Sequence, residues 1–285
     1  MATNVVTLPS RRRRFAWSSP LTYALALAVA GVSIVPVVYV VIGGFRTAGQ
    51  IANNPAGLPD PWVWDTYVRV ISAGRFWRLV LNSTVVALGT TLGVVGLGVC
   101  AAFALSRYRF RGREAVYTFF TVGLLFPAAA GILPLYLLLR DLGLANTWWG
   151  VILPQVAFGL PLTIVILRPF LLAIPAELED AALIDGSSKL GFFWRILLPL
   201  SRPALVTVGM IAVVGSWNAF LLPLLILNDA SLHTLPLGVQ QFQSQYSSDT
   251  AAILAYTSLS MLPALVFFLM AERQIVGGLT GAVKG

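Results

Sequence analysis

LVLNSTVVALGTTLGVVGLGVCAAFAL, residues 79–105, contains no Asp, Glu, Lys, Arg or His. A helix needs roughly 20 apolar residues to cross the hydrocarbon core of a bilayer, and this run is longer than that. Its apolar residues do not alternate with polar ones, as the segments of roughly 10 residues in a membrane β-barrel do, so it reads as a helix. Working outward, five more segments are equally free of charge: 21–45, 115–139, 148–167, 203–227 and 251–271. Composition points the same way. The 285 residues are 58% hydrophobic and 11% charged, with a mean hydropathy of +0.83, whereas a soluble domain carries roughly 25% charged residues. The expectation is an all-α integral membrane protein: a tail over residues 1–20, then six transmembrane helices within 21–285.

The placement of Lys and Arg orients these spans. With the N-terminus inside, the inner segments hold Arg11 to Arg14, Arg107, Arg109, Arg111, Arg113, Arg168, Lys189, Arg195, Arg202, Arg273 and Lys284. The outer segments hold only Arg46, Arg69, Arg75, Arg78 and Arg140. Positive charge gathers on the cytoplasmic side of membrane proteins, so both termini are expected in the cytoplasm of a cell with a plasma or inner membrane. The net charge of +8 is then a product of topology, and no nucleic-acid partner is needed to explain it. RRRRFAWSSP, residues 11–20, resembles a twin-arginine export signal, but the apolar stretch runs unbroken to Phe45. That is well past the 7 to 15 residues of a signal h-region, so the stretch reads as a mature first span.

Three features inside the membrane portion invite a functional reading. Pro127, Pro134, Pro154 and Pro161 each remove a backbone donor where no water replaces it, and such positions are either tolerated kinks or breaks that build a path at mid-membrane. Asn218 places an amide at depth, as packing glue or as a lining group. In the first outer loop Asp60 and Pro61 offer an N-cap and a first helical position. Trp64, Tyr67, Val68 and Ile71 follow on one face, as an interfacial helix or a docking surface for an outside partner.

Absences narrow the chemistry. The chain has no GxxxxGK[ST] run to cradle nucleotide phosphates, and its only Cys, Cys100, and only His, His233, form no metal framework. The spans carry no ionisable residue of the kind that pumps and secondary carriers use as relays. No cofactor is expected, the chain does not read as an enzyme, and energy has to come from outside it.

The one polar stretch between spans is PAELEDAALIDGSSKLGFFWRILLPLSRP, residues 175–203. Pro175 fits a first helical turn, and Glu177, Glu179 and Asp180 sit where the helix dipole is positive. Leu178, Ala181, Ala182 and Asp185 share a face of low relief, and Gly186 permits the left-handed turn that ends a helix. Phe192, Phe193, Ile196 and Leu197 follow, with Pro199 and Pro203 marking the exit into the fifth span. A solvated loop has no use for so many large apolar residues.

Residues 180–199, DAALIDGSSKLGFFWRILLP, resemble the EAA loop of binding-protein-dependent ABC importer permeases: acid, Ala, Ala, Gly186, Ile196, Leu198 and Pro199 at matching spacing. Asp180 stands where the family usually has Glu. SRYRFRGR, LPLYLLLRDLGLANT, SWNAFLLPL, TLPLGVQQF and the terminal GLTGAVKG are similar to the carbohydrate branch, in particular to the maltose permease G subunit. Ala219 departs from the Asp often found there after Trp-Asn. The resemblance implies the MetI-like fold of type I ABC importer permeases and a half-transporter for a sugar or oligosaccharide. It also implies three partners: a cytoplasmic ABC ATPase dimer, a second homologous permease subunit and an extracytoplasmic solute-binding protein. Residues 175–202 would form the coupling loop, with Glu177, Glu179, Asp180, Ala181, Ala182, Asp185, Gly186, Ile196 and Pro199 meeting the ATPase. Pro127, Pro161 and Asn218 remain candidates for pathway or packing, and a self-contained secondary carrier or channel is the competing reading.

Overall fold

The computed structural model describes residues 20–244 and 248–282, with backbone only for residues 21 and 270–282. The tail with Arg11 to Arg14 and the terminal Lys284 lie outside the described residues. Among these residues the chain is helical, with a single isolated antiparallel bridge between Gln243 and Ser248. In hydrocarbon a backbone amide finds no partner but another backbone group of its own helix, and that fixes the secondary structure of the apolar runs.

In chain order the helices are α1 (Pro20–Gly43), α2 (Ala48–Asn53), α3 (Asp65–Ser72), α4 (Gly74–Arg107), α5 (Arg113–Gly123), α6 (Ile132–Asp141) and α7 (Trp148–Ala173). The polar segment supplies α8 (Glu177–Ile184), α9 (Lys189–Phe192), a π-helical turn over Phe193–Leu197 and α10 (Leu198–Leu200). Then come α11 (Arg202–Trp217), α12 (Leu221–Ile226), a 3-10 segment over Leu235–Phe242 and α13 (Thr250–Ala282).

Among the described residues four helices are individually long and apolar enough to cross a membrane: α1, α4, α7 and the Thr250–Leu269 part of α13. The third and fifth expected spans are each divided. Residues 124–131 form turns between α5 and α6, with Pro127 in their midst. Proline cannot donate into a helix and pushes the residue before it out of helical geometry. Asn218, Ala219 and Phe220 separate α11 from α12, where Pro223 sits in the first turn and would leave a continuous helix short of a donor. In contrast, α7 runs unbroken through Pro154, Pro161 and Pro169, so these are tolerated prolines. It also continues past residue 167, where the expected span ended.

Residues 46–78, expected as the first outer loop, differ from their expected form. The Asp60–Pro61 bond is cis, and the helix begins at Asp65 with Trp64 before it, not at Pro61. Thr66 and Val70 are its buried residues, while Trp64, Val68 and Ile71 are exposed. The aromatic stripe therefore looks outward, apart from Tyr67, which packs on Phe45 at 4.4 Å and donates to Val41 O at 2.7 Å.

The core follows α4 from start to finish. Phe76 and Leu79 pack with Tyr256 near its beginning, Val86 and Val94 with Val151 and Ile226 midway, and Val99 and Phe103 with Leu167 and Phe192 at its end. The seam between α4 and α7 needs small residues. A Cβ on Gly93 would stand 2.6 Å from a Val156 methyl, so only glycine admits that approach, in the manner of close helix pairs in membranes. Residues 231–235 are tied down over the start of α4. Asn82 donates to Ser231 O and His233 O at 2.7 and 2.9 Å, Leu235 N donates to Ser83 Oγ at 2.7 Å, and Tyr256 donates to Leu235 O at 2.7 Å.

Candidate functional site

At the end of the bundle where α4 and α7 finish, the polar segment folds into a compact arm. α8 starts after Pro175 with Glu177, Glu179 and Asp180 in its first turn, where carboxylates meet the positive end of the helix dipole. Gly186 closes it at φ +81°, and Ser187 N donates to Ala182 O at 2.9 Å. That is the bond pattern of a helix stop which only glycine enters without strain. Ser188 Oγ then caps α9 by accepting from Gly191 N at 3.0 Å. Past the π turn and α10 the chain bends by 76° at Ser201 into α11.

The arm has two faces of opposite character. Ala182, Phe192, Phe193 and Leu197 are buried in one cluster with Phe103, Leu167 and Leu171, and Phe103 meets Phe193 with ring centroids 4.9 Å apart. On the other side Ile184 is 86%, Leu190 68% and Trp194 65% exposed. The two alanines, placed on one face by their sequence pattern, part company: Ala182 packs inward and Ala181 faces out. Glu177, Asp180, Asp185 and Pro199 are exposed as well, while Ile196 is half-buried against the cluster.

Two arginines with largely buried side chains join the helices at the base of this arm, and neither stood out in the sequence beyond its value for topology. Arg107, at the end of α4, donates to Leu171 O at 3.0 Å and Ile174 O at 2.8 Å, the unpaired carbonyls at the end of α7. Its Nε lies 3.9 Å from Glu179 Oε2, both side chains being largely buried. Arg168, on α7, returns the favour by donating to Leu105 O of α4 at 3.1 Å. It also pairs with Glu114 and lies 4.1 Å over the ring of Tyr117. The hydrogen bond from Arg168, followed by that from Arg113, holds the Glu114 carboxyl below its ordinary range. Each long helix thus caps the other's end, and α8 meets α4 through the Glu179–Arg107 pair.

Midway along the bundle α4, α7, α11, Ala128 and Ala219 line a half-open pocket of about 270 Å³. Its wall is mainly apolar, with Thr90, Gln155, Thr163 and Ser216 as the polar members. Thr90 Oγ1 donates to Gln155 Oε1 at 3.1 Å, whereas Gln155 Nε2 and Ser216 Oγ are buried without a partner. Neither Pro127 nor Pro161 lines this space; Pro161 lies against Gly123 of α5. Asn218 belongs to a second cavity, of about 480 Å³, beside Trp217, Tyr256 and Ser260. Gln155 could have been found by looking for amides in apolar runs, since it is the one Gln of the fourth span.

Comparison with known proteins gives these features a context. A family model described as "Binding-protein-dependent transport system inner membrane component" matches residues 94–274. The chain is 33% identical over 270 residues to the probable ABC transporter permease protein YurM of Bacillus subtilis, covering 94% of this chain and 88% of that protein. It is 33% identical over 273 residues to the diacetylchitobiose uptake system permease protein NgcG of Streptomyces coelicolor, covering 95% and 89%. Among solved structures, a bacterial ABC transporter involved in the import of the acidic polysaccharide alginate superposes with a TM-score of 0.76 at 22% identity, covering 89% of this chain and 95% of that one.

Proposed function

Since the chain belongs to the family of binding-protein-dependent transport system inner membrane components, we propose that it is one permease half of an ATP-driven importer for a sugar or oligosaccharide. ATP is hydrolysed on a cytoplasmic ATPase dimer, a second homologous permease completes the path, and an extracytoplasmic binding protein delivers the solute. Both termini lie in the cytoplasm, residues 1–20 form the tail, and residues 175–202 form the coupling loop.

One observation carries this reading: the arm formed by α8 to α10 is buried on one side and uncovered on the other. An apolar edge made of Ile184, Leu190 and Trp194, with the carboxylates of Glu177, Asp180 and Asp185 near it, suits an apolar groove in a partner with a basic rim. Its inner side is fixed to α4 and α7, so a pull on the arm reaches the helices that line the central cavity. The ligand that biases the inward-open and outward-open states thus binds another chain, and the arm conveys the bias as a rigid-body movement. The sugar assignment draws on the relative named for diacetylchitobiose uptake.

Ile184→Asp tests the docking edge. It places a charge on the most exposed apolar residue of the arm and touches nothing buried, so folding should be unchanged while ATPase co-purification falls by about 100-fold, the loss of a well-packed anchor. Undiminished co-purification and ATP-driven uptake in this variant would remove the coupling role. Solute flux in vesicles holding this chain alone would favour the self-contained carrier or channel.

A further inference from the structure

The three carboxylates in the first turn of α8 do not share one environment. Glu177 and Asp180 are exposed, whereas the Glu179 side chain is 16% exposed and turns toward the end of α4. Its Oε2 lies 3.9 Å from Arg107 Nε, and that nitrogen is buried without a hydrogen-bond partner. Among the described residues the Glu179 carboxylate accepts no hydrogen bond either. A buried donor left unpaired costs free energy and calls for an explanation. A charge-assisted N–H···O bond spans roughly 2.7 to 2.9 Å, so an approach of about 1 Å would complete this one.

The rest of the arm permits that approach. Among the described residues no hydrogen bond joins residues 177–197 to α4 or α7, and Arg107–Glu179 is the only ion pair between them. The arm is held by the packing of Ala182, Phe192, Phe193 and Leu197, and apolar burial has no preferred direction. A second loose contact lies alongside, with Lys189 Nζ 5.0 Å from the ring centroid of Tyr108. Arg107 is itself anchored, because its Nη2 donates to Leu171 O and Ile174 O. Glu179 is therefore the partner that can move.

We propose that Arg107 and Glu179 form a latch, open in this conformation, which closes when α8 shifts toward α4 and so fixes the arm in a second position. Closing pairs the Nε–H donor with the carboxylate, and the pair then favours the second position over the first. Glu179 is thus a positioning residue of the coupling step, while Glu177 and Asp180 stay free to face a partner. The inference rests on the permease reading and adds to it the contact that sets the resting place of the arm.

The experiment uses the assembled importer with its ATPase, second permease and binding protein, in nanodiscs for melting and in vesicles for uptake. Glu179→Gln keeps the shape of the side chain and removes its charge. Melting temperatures are measured without nucleotide and after trapping with ATP and vanadate. The substitution should lower the melting temperature by about 3 °C or more in one of these states and leave the other unchanged, since the latch is closed in only one. ATP-driven uptake should fall about tenfold, the loss of one charge-assisted hydrogen bond. Should that variant fail to assemble, Glu179→Asp, which withdraws the carboxylate by one methylene, carries the same expectation. An equal loss in both states would make the pair a fixed structural contact, and no loss in either would leave it without a role; each result overturns the latch. A failure of the ATPase to co-purify with the wild-type chain would instead overturn the permease reading.

Discussion

Each end of the bundle is organised by buried arginine, but the two ends are wired differently. At the end that carries α2, Arg46 donates to Gln50 O at 2.6 Å, to Pro55 O at 2.9 Å and to Asn54 O, all within ten residues of itself. At the end that carries the arm, Arg107 reaches Leu171 O and Ile174 O, and Arg168 reaches Leu105 O, each across more than sixty residues. Arg46 therefore seals a local ledge made of α2 and its flanking loops. Arg107 and Arg168 join α4 and α7 to each other, and Arg107 also meets Glu179 of α8. The bonds of Arg46 stay within one segment, whereas those of Arg107 and Arg168 bridge separate helices.

Substitutions can break or sharpen that contrast. The largest effect is expected from Arg107→Ala. It leaves two carbonyls at the end of α7 and the Glu179 carboxylate without their partner, at a cost of about 3 kcal/mol or more. Thermal unfolding in detergent should show a global loss of stability, and ATP-driven uptake should disappear even in protein rescued at low temperature. Retained coupling would mean that the arm does not work through α7. Arg46→Ala should cost about 1 to 3 kcal/mol, but against local opening only. Hydrogen exchange is expected to rise over residues 46–60 and stay unchanged in α4 and α7; a drop in the global unfolding temperature as large as that of Arg107→Ala would erase the distinction between the ends.

The smallest effect concerns pH. The Glu114 carboxyl, just outside the third apolar run, is held below its ordinary value of 4.5 chiefly by the hydrogen bond from Arg168. A depressed acid contributes stability above its unfolded value and loses it as pH falls through the folded one. The contribution should be complete at neutral pH and fade below about pH 4.5. Melting temperatures of wild type and Glu114→Gln should thus differ at pH 7 and converge on acidification. Because Glu114 is exposed to solvent, the difference should be small. A constant difference across that range would show that Glu114 acts by shape and not by charge.

Residues 175–202 illustrate what could be read in advance. Gly186 at positive φ, the acidic first turn of α8 and the prolines flanking the arm are local features, and they occur where the residue pattern placed them. The inward turn of Ala182 did not follow from that pattern, because α8 is short and gently amphipathic. Its orientation is set by Phe192, Phe193 and Leu197 folding back beneath it. Arg107 and Arg168 counted in the sequence only as positive charges on the inner side, since the carbonyls they reach lie on other helices. The prolines likewise differ by context: Pro127 accompanies a break between α5 and α6, whereas Pro154 and Pro161 remain inside α7, packed along α4 and α5. Gln155 carried a weak signal, one amide in an apolar run, but its unpaired nitrogen became visible only with Thr90 and Ser216 beside it.

The sequence by itself determined that the chain lives in a bilayer as helices, where the polar arm interrupts them and how that arm begins and ends. Those properties are sums over neighbouring residues: hydropathy along a window, a cap, a glycine that accepts a left-handed turn. The tertiary structure decided which apolar runs break, which alanine is buried, which carbonyls the arginines cap and which polar atoms are left buried without a partner. These depend on atoms brought together from distant parts of the chain, in a medium where every unpaired polar group must find its partner through the packing of helices.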